Sequence, residues 1–183
     1  MKLIKTEFEG VYIVEPQLHI DNRGYFMESY NKLQYELQGV LNVFSQDNQS
    51  LSIEAGTIRG LHYQLPPFEQ AKLVRVLKGE IFEVLVDLRK NSDTYKKWKS
   101  FYISEENKKQ LLIPKGFAHG FCTLVPNTEV FYKVDNYYSP EHDRGILWND
   151  RELNIKWPVD NPILSNKDKS HPTFEKAEKE FLF

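Results

Sequence analysis

Two short histidine motifs and a lysine between them are the residues of this 183-residue chain best suited to chemistry. The motifs are RGLHYQ at residues 59–64 and PKGFAH at residues 114–119. Their spacing is that of a metal site, but Gln64 and Lys72 stand where an imidazole and a carboxylate are needed, and an ammonium has no lone pair for a metal. A neutral imidazole beside a positive charge instead suits removal of a proton from carbon. The candidate groups are His62, Lys72 and His119.

Strand alternation decides where these side chains point, because successive residues of a strand face opposite sides of a sheet. In the predicted strand 72–77, Lys72 shares its face with Val74 and Val76. In the strand 58–64, the face of His62 would also carry Ile58, Gly60 and Gln64. A histidine among apolar neighbours is commonly a hydrogen-bonded core residue, but lysine is almost never buried without a partner. An inward Lys72 therefore indicates a cavity with an anionic occupant.

Two further side chains extend this hypothesis. Tyr132 lies on the predicted face of Val130 and Val134, where its phenol either exchanges a proton or packs as a core residue. Asp168 lies in a polar turn and is a solvated loop residue unless the C-terminal tail folds back. In that case its carboxylate would hold the imidazole of His62 in one tautomer.

Scattered hydrogen-bond donors would together bind a pyrophosphate, since arginine gives bidentate contacts and amides add neutral ones. They are Arg23, Gln46, Asn48, Arg59 and His119. Strict alternation puts Arg59 on the opposite face from His62. Its participation therefore requires a β-bulge in that strand or a pocket that reaches past the strand edge.

Short apolar segments separated by Gly, Pro, Asn and Asp predict an all-β fold, a jelly-roll barrel with a few short peripheral helices. We predict that residues 11–15 and 25–30 pair around a turn, and that residues 72–77 and 80–88 form a hairpin at Lys78-Gly79. One face of the segment 80–88 is wholly apolar. Helices are predicted at residues 31–38 and 173–183.

Composition and charge exclude several classes of protein. The formal net charge is −2 with both signs mixed along the chain, so no basic surface for nucleic acid is predicted. No stretch approaches the roughly 20 apolar residues of a membrane span, and the N-terminus lacks the apolar core of a signal peptide. A single cysteine, Cys122, fits a reducing cytoplasm. The length predicts one domain.

Eight segments, taken in order, closely resemble the dTDP-4-dehydrorhamnose 3,5-epimerase family, whose members have the cupin fold. The segments are residues 21–29, 46–48, 59–64, 72–75, 113–121, 132–133, 136–138 and 164–168. This resemblance implies an inversion of C3 and C5 in dTDP-4-dehydro-6-deoxy-D-glucose without metal or cofactor. The product, dTDP-4-dehydro-L-rhamnose, belongs to dTDP-L-rhamnose synthesis.

The resemblance also implies a role for each matching residue. His62 is implied as the general base with Asp168 as its dyad partner, Lys72 as the group that stabilises the enolate oxygen, and Tyr132 as the acid on the opposite face of the ring. Substrate-binding positions are implied at Arg23, Glu28, Gln46, Asp47, Asn48, Arg59, His119, Tyr138, Asp143 and Lys167. Among these, Tyr138 is implied to stack on thymine.

A homodimer is implied as well, in which the N-terminal strands with Arg23 and Glu28 cross to the partner subunit and complete its site. The expected organisation is a single cupin-type epimerase domain over residues 1–183. Its N-terminal strands reach about residue 50, its barrel spans about residues 51–136, and its tail spans residues 137–183.

Three other functions fit parts of this pattern. An epimerase of another deoxysugar pathway would invert C3 alone in a related nucleotide-linked 4-keto-6-deoxysugar, although the presence of Tyr132 favours two inversions. A sugar-sensing cupin would bind the nucleotide sugar without turnover. A metal-dependent dioxygenase of the cupin fold is disfavoured by Gln64 and Lys72.

Overall fold

The computed structural model describes residues 1–181 and 183, and antiparallel strands are its main secondary structure. The strands are β1 Lys2–Lys5, β2 Tyr12–Glu15, β3 His19–Asp21, β4 Gly24–Phe26, β5 Gln46–Ser52, β6 Ile58–Gln64, β7 Lys72–Lys78, β8 Glu80–Asp87, β9 Trp98–Ser104, β10 Gln110–Ile113, β11 Phe117–Thr123, β12 Thr128–Val134 and β13 Asp143–Gly145. The helices are α1 Lys32–Glu36, α2 Asn166–Lys169 and α3 Phe174–Ala177, followed by a 3₁₀ turn at Glu178–Glu180. Within the described residues, no helix has the length and apolar character needed to cross a membrane.

Two facing sheets form the barrel. One sheet has six strands in the order β1-β2-β10-β7-β12-β5, and the other has five in the order β13-β6-β11-β8-β9. The strands β3 and β4 form a separate hairpin. Neighbouring strands pair antiparallel, so the architecture is the all-β jelly-roll barrel with short helices that the sequence predicts.

The predicted pairing of residues 11–15 with residues 25–30 is wrong. β2 pairs with β1 and β10, while β3 and β4 close the turn between them. An Asx turn fixes this hairpin locally, because the Asp21 carboxylate accepts a hydrogen bond of 2.8 Å from the Arg23 N–H. β2 is instead held by burial of Val14 against Leu112 of β10 and the Tyr35 ring of α1.

The predicted hairpin at Lys78-Gly79 is also wrong, because β7 and β8 lie in opposite sheets. β7 pairs with β10 and β12, whereas β8 pairs with β9 and β11. Gly79 has φ +82°, and a Cβ there would collide with the side chain of Thr128. A glycine between two strand segments is typical both of a hairpin turn and of a corner at which the chain passes to the other sheet. The sequence therefore could not distinguish the two.

The five-stranded sheet is buried on both faces. Ile81 and Leu85 of β8 point into the barrel and pack in one cluster with Val130 of the opposite sheet. The other face, which carries the predicted apolar series Phe82, Val84, Val86 and Leu88, packs in a second cluster with Leu153 and Phe174 of the tail. The tail therefore completes the core and is held against the sheet that carries two catalytic candidates.

The predicted cap of the first helix is confirmed, but the predicted C-terminal helix is too long. α1 begins after Asn31, whose side chain accepts a hydrogen bond from the Gln34 N–H, which confirms the predicted cap. The C-terminal helix is shorter than predicted: α3 ends at Ala177, and the 3₁₀ turn after it ends at Glu180, because Phe181 is extended and buried against Phe174. Of the segment 173–183, residue 182 lies outside the described residues.

Candidate active site

One cavity of about 240 Å³ lies inside the barrel, with walls from both sheets and from the tail. Seven of the predicted site residues line it: Arg59, His62, Lys72, His119, Tyr132, Lys167 and Asp168. Its apolar wall is formed by Val74, Phe121 and Val130. The cavity thus combines a few converging polar groups with an apolar surface, which is the usual character of a small-molecule site.

A bulge in β6 shapes this cavity. β6 pairs with β11 in one register at His62 and in another at Arg59, so that Gly60 and Leu61 together lie opposite Gly120. The two glycine backbones approach so closely that a Cβ on Gly60 would come within 2.5 Å of the Gly120 Cα. Gly60 also has φ +130°. Glycine is therefore required at residue 60 for both conformation and space.

The extra residue of the bulge reverses the alternation of side chains along β6. Arg59 and His62 both face the cavity, as the participation of Arg59 required. Ile58 instead joins Leu61 and Tyr63 in the core cluster beneath the tail. The prediction that Ile58 shares the face of His62 is therefore wrong, whereas Lys72 and Val74 of β7 both line the cavity as predicted.

His62 and Asp168 form a hydrogen-bonded pair. The His62 Nε2 and the Asp168 Oδ1 are 2.6 Å apart, so the tail does fold back onto the barrel. Ser165 caps α2 and fixes the carboxylate: it accepts from the Asp168 N–H at 3.1 Å and donates to Oδ2 at 2.8 Å. Burial opposes ionisation of Asp168, but the His171 and His62 imidazoles and the Ser165 hydroxyl outweigh it and lower its pKa.

An ionised Asp168 accepts a hydrogen bond from Nε2–H of His62 and so selects that tautomer. The lone pair of the imidazole then resides on Nδ1. The His62 side chain is 31% exposed and lines the cavity, whereas the Asp168 side chain is 6% exposed. This geometry is that of a general base held by a buried carboxylate.

Lys72, His119 and Glu83 form a second polar line across the barrel. The Lys72 Nζ lies 2.5 Å from the His119 Nε2, and the His119 Nδ1 lies 2.7 Å from the Glu83 Oε1. The ammonium donates to Nε2, and Nδ1–H donates to the carboxylate. Glu83 is fully buried, and its Oε2 has no hydrogen-bond partner among the described protein atoms.

Burial dominates the electrostatics of this line. It lowers the pKa of Lys72 to about 8 and raises that of Glu83 to about 8, and each effect is opposed by attraction between the two charges. Burial, followed by the nearby Lys72 and His62, lowers the pKa of His119 well below its ordinary value, so its imidazole stays neutral. Lys72 therefore points its ammonium into the cavity, which Arg59 and Lys167 also line, and attraction from Glu83 behind His119 offsets part of the lowering of the lysine pKa.

Tyr132 lies on β12 beside the lysine. The Lys72 Nζ is 5.8 Å from the centroid of the Tyr132 ring, and both residues line the cavity. Burial raises the pKa of Tyr132 above its ordinary value, so the phenol is protonated at neutral pH. A protonated phenol can act as an acid, and this one lies in the same cavity as the His62 imidazole.

The positions that would hold a cupin metal do not fit one. The Gln64 amide donates to the backbone carbonyls of Phe68 and Tyr137, and its oxygen accepts from the Ser139 N–H at 2.7 Å. Its polar atoms thus join two loops. Lys72 occupies the carboxylate position with an ammonium, which donates hydrogen bonds but has no lone pair for a metal. The metal ligands of a cupin site are therefore missing at both positions.

The predicted nucleotide-binding residues fall into separate groups. Arg59 is held along β5 by hydrogen bonds to the Ser52 Oγ at 3.1 Å and to the Leu51 carbonyl at 3.0 Å. Asn48 pairs with Tyr132 across the strands, so Gln46 and Asn48 share its face, and they are joined by a 2.8 Å hydrogen bond. These side chains extend the polar surface of the cavity along β5.

A third group lies around the tail. Asp143 accepts a hydrogen bond of 3.0 Å from the Tyr138 hydroxyl and forms an ion pair with Lys167. The Tyr138 side chain is largely exposed, and Lys167 also lines the cavity. The predicted binding residues Asp143 and Lys167 are therefore in direct contact with each other, and Asp143 also contacts Tyr138.

Three predicted binding residues lie away from the cavity. Arg23 is exposed at the tip of the β3–β4 hairpin and pairs with Asp21, and Glu28 accepts a hydrogen bond from Asn31. Asp47 lies on the opposite face of β5 from Asn48 and pairs with Lys133 at 2.8 Å. The binding roles of Arg23, Glu28 and Asp47 stay predictions.

Sequence reasoning missed Glu83, Ser165 and His171 as site residues. Glu83 was visible only as a carboxylate interrupting a strand face, and its partner His119 is distant in sequence. Ser165 and Asp168 form the capping pattern Ser-x-x-Asp, which could have placed a helix start there. His171 lies beside Asp168 and packs edge-on against the His62 ring, with centroids 5.4 Å apart.

The whole chain is similar to known proteins of one family. A family model described as dTDP-4-dehydrorhamnose 3,5-epimerase matches residues 5–176. The protein of that name from Shigella flexneri is 52% identical over 179 residues, covering 97% of this chain and 98% of the relative.

Two solved structures are also similar. The dTDP-4-dehydrorhamnose 3,5-epimerase of Bacillus anthracis, crystallised with TDP and PPi bound, is 57% identical with a TM-score of 0.93, and the match covers 94% of this chain and 99% of that one. The Legionella pneumophila dTDP-6-deoxy-D-glucose-3,5-epimerase, in complex with dTDP-4-keto-L-rhamnose, is 43% identical with a TM-score of 0.89, covering 95% and 93%. This chain therefore belongs to the dTDP-4-dehydrorhamnose 3,5-epimerase family.

Proposed function

We propose that this protein inverts C3 and C5 of dTDP-4-dehydro-6-deoxy-D-glucose to give dTDP-4-dehydro-L-rhamnose, the double epimerisation of dTDP-L-rhamnose synthesis. The observation that carries this proposal is the convergence of the His62 base, the Lys72 cation and the Tyr132 acid in one cavity. The relatives named above support the choice of substrate.

The first step is removal of a ring proton. Both C3 and C5 are bonded to the carbonyl carbon C4, so each proton is acidic only while the carbonyl oxygen can carry negative charge. In the proposed reaction, His62 takes the proton on Nδ1, and the electron pair of the C–H bond moves to form the enolate. Lys72 faces the enolate oxygen and stabilises its charge, while Asp168 stabilises the imidazolium.

The second step returns a proton to the other face of the ring. Tyr132 is the proposed donor, because burial keeps its phenol protonated and it lines the same cavity as the base. Its phenolate is transient beside the Lys72 ammonium. Before the second inversion, the His62 imidazolium releases its proton to solvent and the Tyr132 phenolate takes one up. Repeating the two steps at the second carbon then inverts both centres.

The nucleotide would lie outside the sugar cavity. Arg59, Gln46 and Asn48 are proposed to bind the diphosphate, since their donors border the cavity along β5. His119, which contacts Lys72, is proposed to border the sugar. Tyr138, held by Asp143, which in turn pairs with Lys167, is proposed as the surface on which thymine stacks.

A homodimer is proposed to complete the site. The β3–β4 hairpin carries two large exposed apolar side chains, Ile20 and Phe26. It also carries the predicted substrate-binding residue Arg23. An exposed apolar arm with a binding residue at its tip is suited to insertion into a partner subunit, where Arg23 and Glu28 would reach the partner's nucleotide.

Complementation tests this composite site. Arg23→Ala and His62→Ala are each expected to inactivate the enzyme, but one site in each mixed dimer would have both native residues. Random reassembly of equal amounts should therefore restore about a quarter of wild-type activity. Two inactive variants that stay inactive after verified exchange of subunits would refute the crossing arm.

We also propose that residues 1–183 act as one catalytic domain and that it works in the cytoplasm. The first proposal is supported by the tail, which supplies Asp168 to the site and Phe174 to the core. The second is supported by Cys122, an unpaired thiol that is buried in the barrel wall and fits a reducing compartment.

Proton NMR in deuterated water tests the proposed reaction. The purified enzyme, incubated with dTDP-4-dehydro-6-deoxy-D-glucose, should place deuterium at both C3 and C5 and yield the L-rhamno product. Deuterium at C3 alone would instead identify a single epimerase. Binding of the nucleotide sugar without any exchange would identify a sensing protein.

A further inference from the structure

His171 is a buried imidazole that the proposed reaction does not use. Its side chain is 8% exposed, and its Nε2 lies 3.4 Å from the Asp168 Oδ1. The alignment is not that of a hydrogen bond, and this nitrogen has no hydrogen-bond partner among the described protein atoms. A buried and unpartnered nitrogen beside an ionised carboxylate is a position that a ligand would satisfy.

Three potential metal ligands meet at this point. One ligand atom from each of His62, Asp168 and His171 lies within 4.8 Å of the other two. The shorter contacts are 2.6 Å from the His62 Nε2 to the Asp168 Oδ1 and 3.4 Å from the same oxygen to the His171 Nε2. The cluster is distinct from the cupin metal position, since Asp168 and His171 belong to the tail.

Two of the three separations are close to those of a tetrahedral zinc site, and the third, between His62 and His171, is within 4.8 Å. Bonds of about 2.0–2.1 Å to nitrogen and oxygen place neighbouring ligands roughly 3.4 Å apart. The Asp168–His171 pair already has this separation, and the His62–Asp168 contact needs to open by less than about 1 Å. His62 borders the cavity, which gives the ring room to move, and Asp168 borders it as well.

We propose that His62, Asp168 and His171 form a latent site for a divalent transition metal such as Zn²⁺, and that an ion bound there inhibits epimerisation. Two imidazoles and one carboxylate with an open fourth position suit zinc. The carboxylate supplies a negative charge that offsets part of the charge of the ion. The ion in this proposal is an inhibitor, and the proposed reaction proceeds without it.

Inhibition follows from the tautomer of His62. In the free enzyme Nε2 carries the proton, which Asp168 accepts, and Nδ1 carries the lone pair that serves as the base. A metal bound to Nε2 uses the lone pair of that nitrogen, so the single proton of the neutral ring moves to Nδ1. The nitrogen that faces the substrate then has no lone pair with which to accept a proton.

Titration with Zn²⁺ and with Co²⁺, in the absence of substrate, tests the site directly. Calorimetry should show one Zn²⁺ bound per chain, and Co²⁺ should give the visible absorption of a four-coordinate ion. His171→Asn should weaken binding by at least the roughly 10- to 100-fold that loss of an outer-shell partner costs. His171→Cys, which keeps a ligand, should retain tight binding and add a thiolate-to-cobalt band.

His19→Asn is the matched control, because His19 is exposed on the β3 strand and lies outside this cluster. It should bind Zn²⁺ as the wild type does. In the wild-type enzyme, Zn²⁺ should abolish deuterium exchange and EDTA should restore it. At the same Zn²⁺ concentration, the exchange rate of His171→Asn should fall much less below the rate of that variant without metal.

Absence of stoichiometric binding by the wild type would overturn the proposal, and so would equal affinities of wild type and His171→Asn. Correct folding of His171→Asn is checked by its thermal midpoint and by binding of dTDP. Because the titrations need no substrate, their failure leaves the proposed reaction untouched. Inactivity toward the sugar nucleotide would likewise leave the metal site testable.

Discussion

Replacement of Lys72 by methionine should remove activity without loss of stability. Methionine keeps much of the length and apolar volume of the side chain but has no charge and no hydrogen-bond donor. If Lys72 stabilises the enolate oxygen, its removal should cost about 2.7–4 kcal/mol of transition-state stabilisation, which corresponds to about 10²- to 10³-fold in kcat. Binding of dTDP should change little, since Lys72 faces the sugar cavity.

The buried charge of Lys72, although proposed to serve the reaction, destabilises the folded protein. Burial moves the pKa of Lys72 from 10.5 to about 8. Because the unfolded chain holds this proton more tightly, the charged lysine destabilises the folded protein below pH 8, by about 3 kcal/mol, and the penalty disappears as the pH rises from 8 to 10.5. Lys72→Met removes that penalty but leaves the His119 Nε2 without its donor, which costs about 1–3 kcal/mol.

The two contributions nearly cancel at pH 7. The melting temperature should therefore stay the same or rise by a few degrees, since each kcal/mol of unfolding free energy shifts it by about 2–4 °C. Exchange is followed by NMR in deuterated water, and stability by thermal unfolding. Val74→Ala, a neighbour on the same face of β7, is a control that should lose stability through a cavity. A Lys72→Met variant with wild-type exchange, or one that melts far below the wild type, would contradict the assigned role.

Three further predictions concern the other polar groups of the cavity. Tyr132→Phe should still wash deuterium into the substrate but should form little inverted product, which NMR of the product stereochemistry would show; normal inversion would exclude Tyr132 as the acid. Asp168→Asn should lower kcat by at least about 10-fold, because an amide no longer selects the Nε2–H tautomer of His62; an unchanged kcat would separate the dyad from catalysis. Activity should fall as the pH rises above about 8, where Lys72 loses its proton, and Glu83→Gln should move this alkaline limb to lower pH, because its charge raises the lysine pKa; pH profiles of kcat/KM that superimpose would refute the coupling.

The sequence was sufficient for the features that depend on residue type and alternation within one strand. Lys72 could be placed in the cavity because β7 is regular and its inward neighbour Val74 is apolar. The two histidine motifs could be recognised as a metal site that has lost its ligands, because Gln64 and Lys72 stand where an imidazole and a carboxylate are needed. The resemblance to the epimerase family added the roles, which stay predictions, and the matched relatives support the family.

Features that depend on pairing between distant segments were out of reach. The β6 bulge arises because Gly60 and Gly120 pack backbone to backbone, and these residues are far apart in the chain. The role of Glu83 becomes visible only when β8 and β11 pair and bring it to His119. The corner at Gly79 follows from which sheet each strand joins, a choice that local turn chemistry does not determine.

The central claim is that His62 removes protons from both carbons beside one carbonyl. Its most direct test is deuterium incorporation by His62→Ala, measured at C3 and C5 in parallel with dTDP binding. We predict that exchange is abolished at both carbons while dTDP binds nearly as it does to the wild type. Exchange at the wild-type rate at either carbon would contradict the account.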